Sequence, residues 1–140
     1  MSIERATMDR LLAAAAEAAA HSWSPYSGFP VGAALLCADG TVVTGTNVEN
    51  RSYGLTICAE RSAAVSAVAQ GRRDWVAVAI CCPTAEEAVG PCGACRQVLS
   101  EFCPPGTPVV YAGRDRNRRV VTTIGKLLPA DSLQHLKDPR

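Results

Sequence analysis

The sequence predicts an α/β fold: a three-layer α/β/α sandwich built around one mixed sheet of about five strands. Short apolar runs of strand length alternate along the chain with longer runs of helix-forming residues. The pair Asp39-Gly40 separates two of the apolar runs; such a pair is typical of a hairpin and makes the sheet mixed. Residues 76–82 are apolar without interruption, which indicates a strand covered by helices on both faces.

Three helices follow from local composition. The first is expected over about 3–20, where alanine dominates, and the second from near Cys58 to Gly71. The third is expected from Pro91 through Phe102. Alanine is the best helix former, and its small side chain allows a helix to approach another layer closely.

The remaining elements complete one domain. Strands are expected at 31–37, 42–46, 76–82, 108–112 and 119–123. The basic stretch 114–119 is expected to be a solvated hairpin turn, and a short turn or helix is expected after Ile124. No linker or repeat divides the chain, so residues 1–140 are expected to form a single domain.

Composition and charge exclude several classes of protein. Hydrophobic residues make up 48% of the chain and charged residues 19%, which is too apolar for a disordered protein. The formal net charge of +1 creates no strong field for nucleic acid or an anionic membrane. No apolar run reaches the ~20 residues of a membrane span. We therefore expect neither nucleic acid nor a membrane as a partner.

The cysteine count indicates thiols rather than disulfides. Seven cysteines are an odd number, and the residues after Met1 lack the basic head and apolar stretch of a secretory signal. Metal binding or burial of free thiols is then the expected use of these side chains. The expected location is a reducing cytoplasm.

Two short cysteine motifs indicate a zinc site. Cys92 and Cys95 form a Cys-x-x-Cys pair at an expected helix start, and Cys58 lies at another. Helix N-termini favour thiolates, and three thiolates leave the fourth tetrahedral position of Zn²⁺ open for water, as in catalytic sites. Glu60 lies two residues after Cys58, where its carboxylate can overhang that open position and move protons. Cys-x-Glu followed by Pro-Cys-x-x-Cys is the pattern of the zinc deaminases.

With these motifs, the chain resembles the small homotetrameric, zinc-dependent cytidine deaminases over nearly its whole length. Six blocks match in family order, at 24–34, 47–50, 52–56, 58–61, 91–97 and 127–129. The resemblance implies a cytidine deaminase-like version of the three-layer fold and one Zn²⁺ per chain. It also implies a homotetramer whose active sites are shared between subunits.

The resemblance assigns the metal and its chemistry to four residues. Cys58, Cys92 and Cys95 would bind the zinc ion, and Glu60 would be the catalytic proton shuttle. Arg61 would hydrogen-bond the ligand thiolates. Elementary electrostatics favours this last role, because three thiolates on Zn²⁺ leave a formal charge of −1 that a nearby cation offsets.

The resemblance also assigns substrate-binding roles. Asn47 and Glu49 would hold the ribose hydroxyls, and their amide and carboxylate groups suit that purpose. Phe29 would form the aromatic wall beside the pyrimidine. Tyr53 would belong to a segment that reaches an adjacent subunit's site, and Ala59 is a further substrate-binding candidate.

The implied function is hydrolytic deamination of cytidine and 2′-deoxycytidine to uridine and 2′-deoxyuridine, with release of ammonia, in pyrimidine salvage. Glu60 would take a proton from zinc-activated water as C4 is attacked, and would then protonate N3 and the departing amino group. The alternative is an aminohydrolase of a modified cytosine nucleoside, of the blasticidin type. A polynucleotide-editing deaminase is disfavoured because Cys58 stands where those enzymes generally have His. A non-catalytic zinc module would need a fourth ligand and no Glu60.

The sequence leaves the substrate preference and the roles of four cysteines open. Ser132 stands where the family usually has a phenylalanine that covers a neighbouring site, which leaves the preference among cytidine, deoxycytidine and modified cytosines undetermined. The four other cysteines are expected to be mostly core residues, and a fourth zinc ligand among them is not excluded by the sequence. They are Cys37, Cys81, Cys82 and Cys103.

Overall fold

Five strands form one mixed sheet in the computed structural model, which describes residues 3–136. The strands are β1 (Gly32–Cys37), β2 (Val42–Thr46), β3 (Trp75–Cys81), β4 (Pro108–Ala112) and β5 (Arg119–Thr123). The helices are α1 (Arg5–Ala19), α2 (Ala59–Ala69), α3 (Gly93–Phe102) and the short α4 (Ile124–Leu127). Single turns of 3-10 helix lie at Tyr53–Leu55 and Gln134–Leu136.

The strand order is β2-β1-β3-β4-β5, with β3 at the centre. Strands β3 and β4 are parallel, whereas β1 pairs antiparallel with both β2 and β3, and β5 pairs antiparallel with β4. The mixed sheet expected from the opening hairpin is confirmed. Because β3 and β4 are parallel, the segments that follow them leave the sheet at the same edge.

The helices cover both faces of the sheet, which confirms the three-layer sandwich. On one face, the α1 residues Leu11, Leu12 and Ala15 pack with the alanines of β1 and β3. On the other face, α2 and α3 pack against the alternate residues of the same strands. The uninterrupted apolar run of β3 is explained by this double coverage, since its residues meet helices on both sides.

The close approach of α1 to the sheet depends on Gly32. A Cβ atom at this position would lie 1.7 Å from the carbonyl oxygen of Ala15 and 2.8 Å from the backbone nitrogen of Ala19. Both atoms belong to the helix backbone, so α1 has to move to make room. We expect Gly32→Ala to lower the free energy of unfolding by about 3 kcal/mol, measured by urea denaturation.

Gly54→Ala is the matched control, because a Cβ atom at Gly54 would meet nothing within 4 Å. It should change the free energy of unfolding by less than about 0.5 kcal/mol. Equal stability of the two variants would contradict the close packing of α1 on β1.

Residues 114–118 of the basic stretch form the turn between β4 and β5, as expected, whereas Arg119 already begins β5. Three arginines of the stretch form ion pairs, and that of Arg119 is with Asp9 at 2.7 Å. Arg114 pairs with Glu86 at 2.7 Å and Arg118 with Glu87 at 3.2 Å. The backbone N–H of Arg114 also donates to the carbonyl oxygen of Ala85. These contacts fix the segment between β3 and α3, which leads to Cys92.

The helices of the described residues all fall short of the length and hydropathy needed to cross a membrane.

Candidate active site

Three cysteine sulfurs meet where two helices begin. Cys58 and Cys92 are the N-cap residues of α2 and α3, and Cys95 lies in the first turn of α3. The Sγ atoms of Cys58 and Cys92 are 4.0 Å apart, and those of Cys92 and Cys95 are 3.5 Å apart. All three sulfurs lie within 4.8 Å of one another.

This spacing fits a tetrahedral zinc site. Two sulfurs bound to one Zn²⁺ at ~2.3 Å with tetrahedral angles lie about 3.8 Å apart, and the observed separations bracket that value. Over residues 3–136, no fourth His, Cys, Asp or Glu joins this group of metal-ligating atoms. Three thiols with no fourth protein ligand are the arrangement of a catalytic rather than a structural zinc site.

Arg61 supplies a positive charge beside the sulfurs. Its Nη2 atom donates to the Cys58 sulfur at 3.3 Å and lies 3.5 Å from the carbonyl oxygen of Thr56. The pKa of the Cys58 thiol is lowered because Cys95 and Arg61 hydrogen-bond its sulfur, whereas the pKa of Cys95 is raised because it keeps the proton that it donates. The structure therefore favours a thiolate at Cys58, the form that binds metal.

Glu60 lies in the first turn of α2 with its side chain directed into the protein. It is 4% exposed and lines the same cavity as Cys58 and Cys92. Burial raises the pKa of its carboxyl, and the neighbouring Cys58 charge raises it further. A carboxyl with a raised pKa exchanges protons more readily near neutral pH than an exposed carboxylate does.

A cavity of about 160 Å³ opens beside the sulfurs. Its fully buried lining residues, Ala59, Ile80 and Cys82, form the inner wall, and the exposed Val89 and Cys92 lie at its mouth. The other lining residues are Phe29, Val31, Asn47, Thr56, Cys58, Glu60 and Gly90. The wall is mostly apolar with a few polar groups, as expected for a site that holds a small flat ring.

Asn47 is buried and holds the segment that carries Phe29. Its Oδ1 atom accepts hydrogen bonds from the Ser22 hydroxyl at 2.6 Å and from the Val31 N–H at 2.9 Å. Its Nδ2 atom donates to the carbonyl oxygen of Phe29 at 2.9 Å. A primary amide has two N–H donors, so one remains for a ligand in the cavity.

Glu49 lies in an adjoining outer cavity of about 290 Å³. Thr56 lines both cavities, and Tyr26, Ser27 and Tyr53 complete the outer one. The Glu49 carboxylate accepts hydrogen bonds from the N–H groups of Tyr26 (2.9 Å) and Ser27 (3.1 Å) and from the Ser27 hydroxyl. These bonds, the Ser27 hydroxyl first, lower the pKa of Glu49 and keep it ionised.

The structure brings together almost all the residues that the sequence singled out. Tyr53 lies in the outer cavity, where its ring meets that of Tyr26 edge-on at 5.8 Å between centroids. Ser132 lines neither cavity. Several lining residues are not indicated by the sequence. Ile80 and Cys82 follow the period of two of a strand, but that pattern predicts only that they are buried, not that they line a cavity. The residues missed in this way were Val31, Thr56, Ile80, Cys82, Val89 and Gly90.

Comparison with known proteins gives consistent matches. The family described as the cytidine and deoxycytidylate deaminase zinc-binding region matches residues 5–112. A cytidine deaminase of Halalkalibacterium halodurans is 50% identical over 124 residues, which are 87% of this chain and 92% of that protein. A cytidine deaminase crystal structure from Burkholderia pseudomallei superposes with a TM-score of 0.83 at 44% identity, over 87% of this chain and 96% of that one. The blasticidin-S deaminase of Bacillus cereus is more distant, at 33% identity over 106 residues, or 71% of this chain and 74% of that protein.

Proposed function

The chain belongs to the zinc-binding cytidine and deoxycytidylate deaminase family, and from that premise we propose that it hydrolyses cytidine and 2′-deoxycytidine to uridine and 2′-deoxyuridine. Ammonia is the other product. The observation that carries the proposal is the meeting of a buried carboxyl, Glu60, with the three-thiol cluster at a cavity sized for one small ring. A reaction on free nucleosides belongs to pyrimidine salvage in the cytoplasm.

The three thiols of Cys58, Cys92 and Cys95 would hold one Zn²⁺ per chain. When bound, the ion lowers the pKa of a water molecule enough to make it a nucleophile near neutral pH. Arg61 offsets the excess negative charge of three thiolates through its hydrogen bond to Cys58. It also orients that sulfur relative to the start of α2.

Glu60 moves the protons of the reaction. Its carboxylate accepts a proton from the water that attacks C4 of the cytosine ring. It delivers this proton to N3, then accepts the second water proton from the new C4 hydroxyl and passes it to the departing amino group, so that ammonia leaves and the C4 carbonyl of uridine forms. Burial of Glu60 raises its pKa, and a group that must both take and give a proton works best with a pKa close to the working pH.

The polar groups of the two cavities favour a nucleoside over a nucleotide. Asn47 and Glu49 hold the ribose hydroxyls, Phe29 and Ala59 contact the base, and Tyr53 covers the outer cavity. Among the described residues that line these cavities there is no lysine or arginine, and Glu49 is negatively charged. A 5′-phosphate would therefore find no cationic side chain among these lining residues, and the negative charge of Glu49 would oppose its entry, which disfavours deoxycytidylate.

We expect Glu49→Gln to raise KM for cytidine by roughly 10- to 100-fold, because a hydroxyl bonded to a charged acceptor contributes about 1.5–3 kcal/mol. The kcat value should change little, because Glu49 lies away from the sulfur cluster. Steady-state kinetics separates the two effects. Asp39→Asn is the control, since Asp39 is another carboxylate that accepts a backbone N–H, in the distant β1–β2 turn. If Glu49→Gln left KM for cytidine unchanged, Glu49 would not bind the ribose.

We propose that the chain assembles as a homotetramer with active sites shared between subunits. The support is the exposure of large apolar side chains around the cavity mouth and along α2, since patches of this kind mark association surfaces. Trp23, Tyr53, Leu55 and Val65 are each more than half exposed. Light scattering should give a mass of four chains, and a fully active monomer would contradict the proposal.

The substrate is tested by measuring turnover of cytidine, deoxycytidine, deoxycytidylate and blasticidin S by the zinc-loaded protein. We expect comparable turnover of the two nucleosides and at least roughly 100-fold lower kcat/KM for the other two compounds. Preferential turnover of blasticidin S would support the modified-nucleoside alternative. Preferential turnover of deoxycytidylate would contradict the interpretation of the outer cavity.

A further inference from the structure

Two adjacent buried cysteines at the end of β3 lie on opposite faces of the sheet. Cys81 belongs to the apolar cluster beneath α1, and its sulfur lies 3.8 Å from the carbonyl oxygen of Gly113. Cys82 belongs to the cluster beneath α2 and α3, with Val78 and Ile80. The alternation of side chains along a strand places the two thiols on different sides.

Of these two residues, only Cys82 lines the catalytic cavity. It is 1% exposed, and its backbone N–H bonds the carbonyl oxygen of Ala112 at 3.0 Å, which fixes its position beside β4. Its sulfur is not part of the three-thiol cluster in the described part of the chain. Cys82 therefore contributes bulk to the inner wall and is not a zinc ligand.

The reacting edge of the base has to face this inner wall. C4 must reach the sulfur cluster and Glu60, so the ring edge formed by C4, its amino group and C5 enters the cavity first. The wall that this edge meets consists of Ala59, Ile80 and Cys82. Ala59 has no side-chain atoms beyond Cβ, and the side chains of Ile80 and Cys82 line both the cavity and the core cluster. Of these two, Cys82 lies after the last residue of β3, at the edge of the sheet from which the segment to Cys92 leaves, so its size limits the space next to the sulfur cluster.

We propose that Cys82 sets the size of the cytosine ring that the cavity accepts, so that its thiol excludes rings methylated at C5 or at the 4-amino group. The inference rests on the proposed function, because it concerns the same cavity and the same reaction. One methyl group in an apolar pocket changes kcat/KM by roughly 10- to 200-fold. Cys82 is accordingly a specificity-determining residue and takes no part in proton transfer.

The test is kcat/KM for cytidine, 5-methylcytidine and N4-methylcytidine with the zinc-loaded wild type, Cys82→Ala and Cys82→Val. Cys82→Ala should raise the ratio of kcat/KM for a methylated nucleoside to that for cytidine by at least roughly 10-fold. Cys82→Val adds bulk and should raise KM for cytidine. Cys81→Ala and Cys81→Val are matched controls on the opposite face, and they should leave the ratio within about twofold of the wild type.

The outcomes separate this inference from the proposed function. Active wild type with an unchanged ratio in Cys82→Ala, or with an equal change in Cys81→Ala, would overturn the role of Cys82 alone. Absence of cytidine turnover by the zinc-loaded wild type would overturn the proposed function and this inference with it. If Cys82→Ala does not fold, Cys82→Ser, which also shortens the side chain, is measured in its place against Cys81→Ser.

Discussion

Replacing Glu60 by glutamine is expected to lower kcat for cytidine by roughly 10⁴-fold while zinc stays bound, because the amide cannot accept and return a proton. Glutamate and glutamine have nearly the same shape, and Glu60 is not one of the three cysteines whose sulfurs would bind the zinc ion. Cytidine absorbance reports the rate, and inductively coupled plasma mass spectrometry reports the zinc content. Substrate affinity should change much less than kcat, because the ribose contacts are elsewhere.

Glu17→Gln provides the matched control, since Glu17 is an exposed carboxylate on the outer side of α1. It should leave both kcat and zinc content unchanged. If Glu60→Gln lost zinc together with activity, Glu60 would hold the metal site rather than shuttle protons. Retention of substantial activity would equally contradict the shuttle.

Replacing Cys95 by alanine is expected to abolish both stoichiometric zinc binding and turnover. Cys95 is fully buried within the sulfur cluster, and two thiols cannot complete the three-ligand set of a catalytic zinc site. Stability should fall as well, because zinc at 1,000 times its Kd stabilises the folded state by about 4 kcal/mol. Melting temperature with and without a chelator measures this difference.

Cys37→Ala serves as the control for loss of a buried thiol, because Cys37 is buried at the far end of β1 and is not part of the cluster. It should keep zinc, activity and the response of the melting temperature to chelator. In wild type, chelator should remove activity and added zinc should restore it. A Cys95→Ala variant that binds one zinc ion per chain would show that the metal lies elsewhere.

Local sequence signals were sufficient for most of the fold. The bounds of β2, β4 and β5 agree with those expected, because Asp39-Gly40, Pro108 and the 114–119 turn limit them locally. Strand β3 begins and ends one residue earlier than expected. The apolar run extends one residue beyond the end of β3, because Cys82 is buried although it lies after the last strand residue. Hydrophobicity alone cannot distinguish a strand residue from a buried residue that follows the strand.

The position of the candidate site residues was predictable from sequence because their spacing is a local property of helix starts. Cys58, Glu60, Cys92 and Cys95 lie within the first turns or caps of α2 and α3, so four positions at two helix starts define the three-thiol cluster and the carboxyl beside it. Only the mutual approach of the two helices required the tertiary structure. The placement of Arg61 against Cys58, three residues away, also follows from helical geometry.

The walls of the cavity could not be predicted in this way. Ile80 of β3 and Cys82 just after it face the same side of the sheet, like any core residues, and their contact with a cavity depends on the packing of α2 and α3 above them. The hydrogen bonds of Asn47 join it to Ser22 and Val31, which are distant in the sequence. Such non-local contacts leave no periodic or compositional signal.

The most direct test of the proposed reaction is conversion of cytidine by the zinc-loaded protein in water enriched in ¹⁸O. Hydrolytic deamination predicts uridine that carries one heavy oxygen, at C4, together with one ammonia per uridine. Mass spectrometry of the product and an ammonia assay give both quantities from the same sample. No uridine from protein with one zinc ion per chain, or uridine without the heavy oxygen, would contradict the hydrolytic activity proposed for this chain.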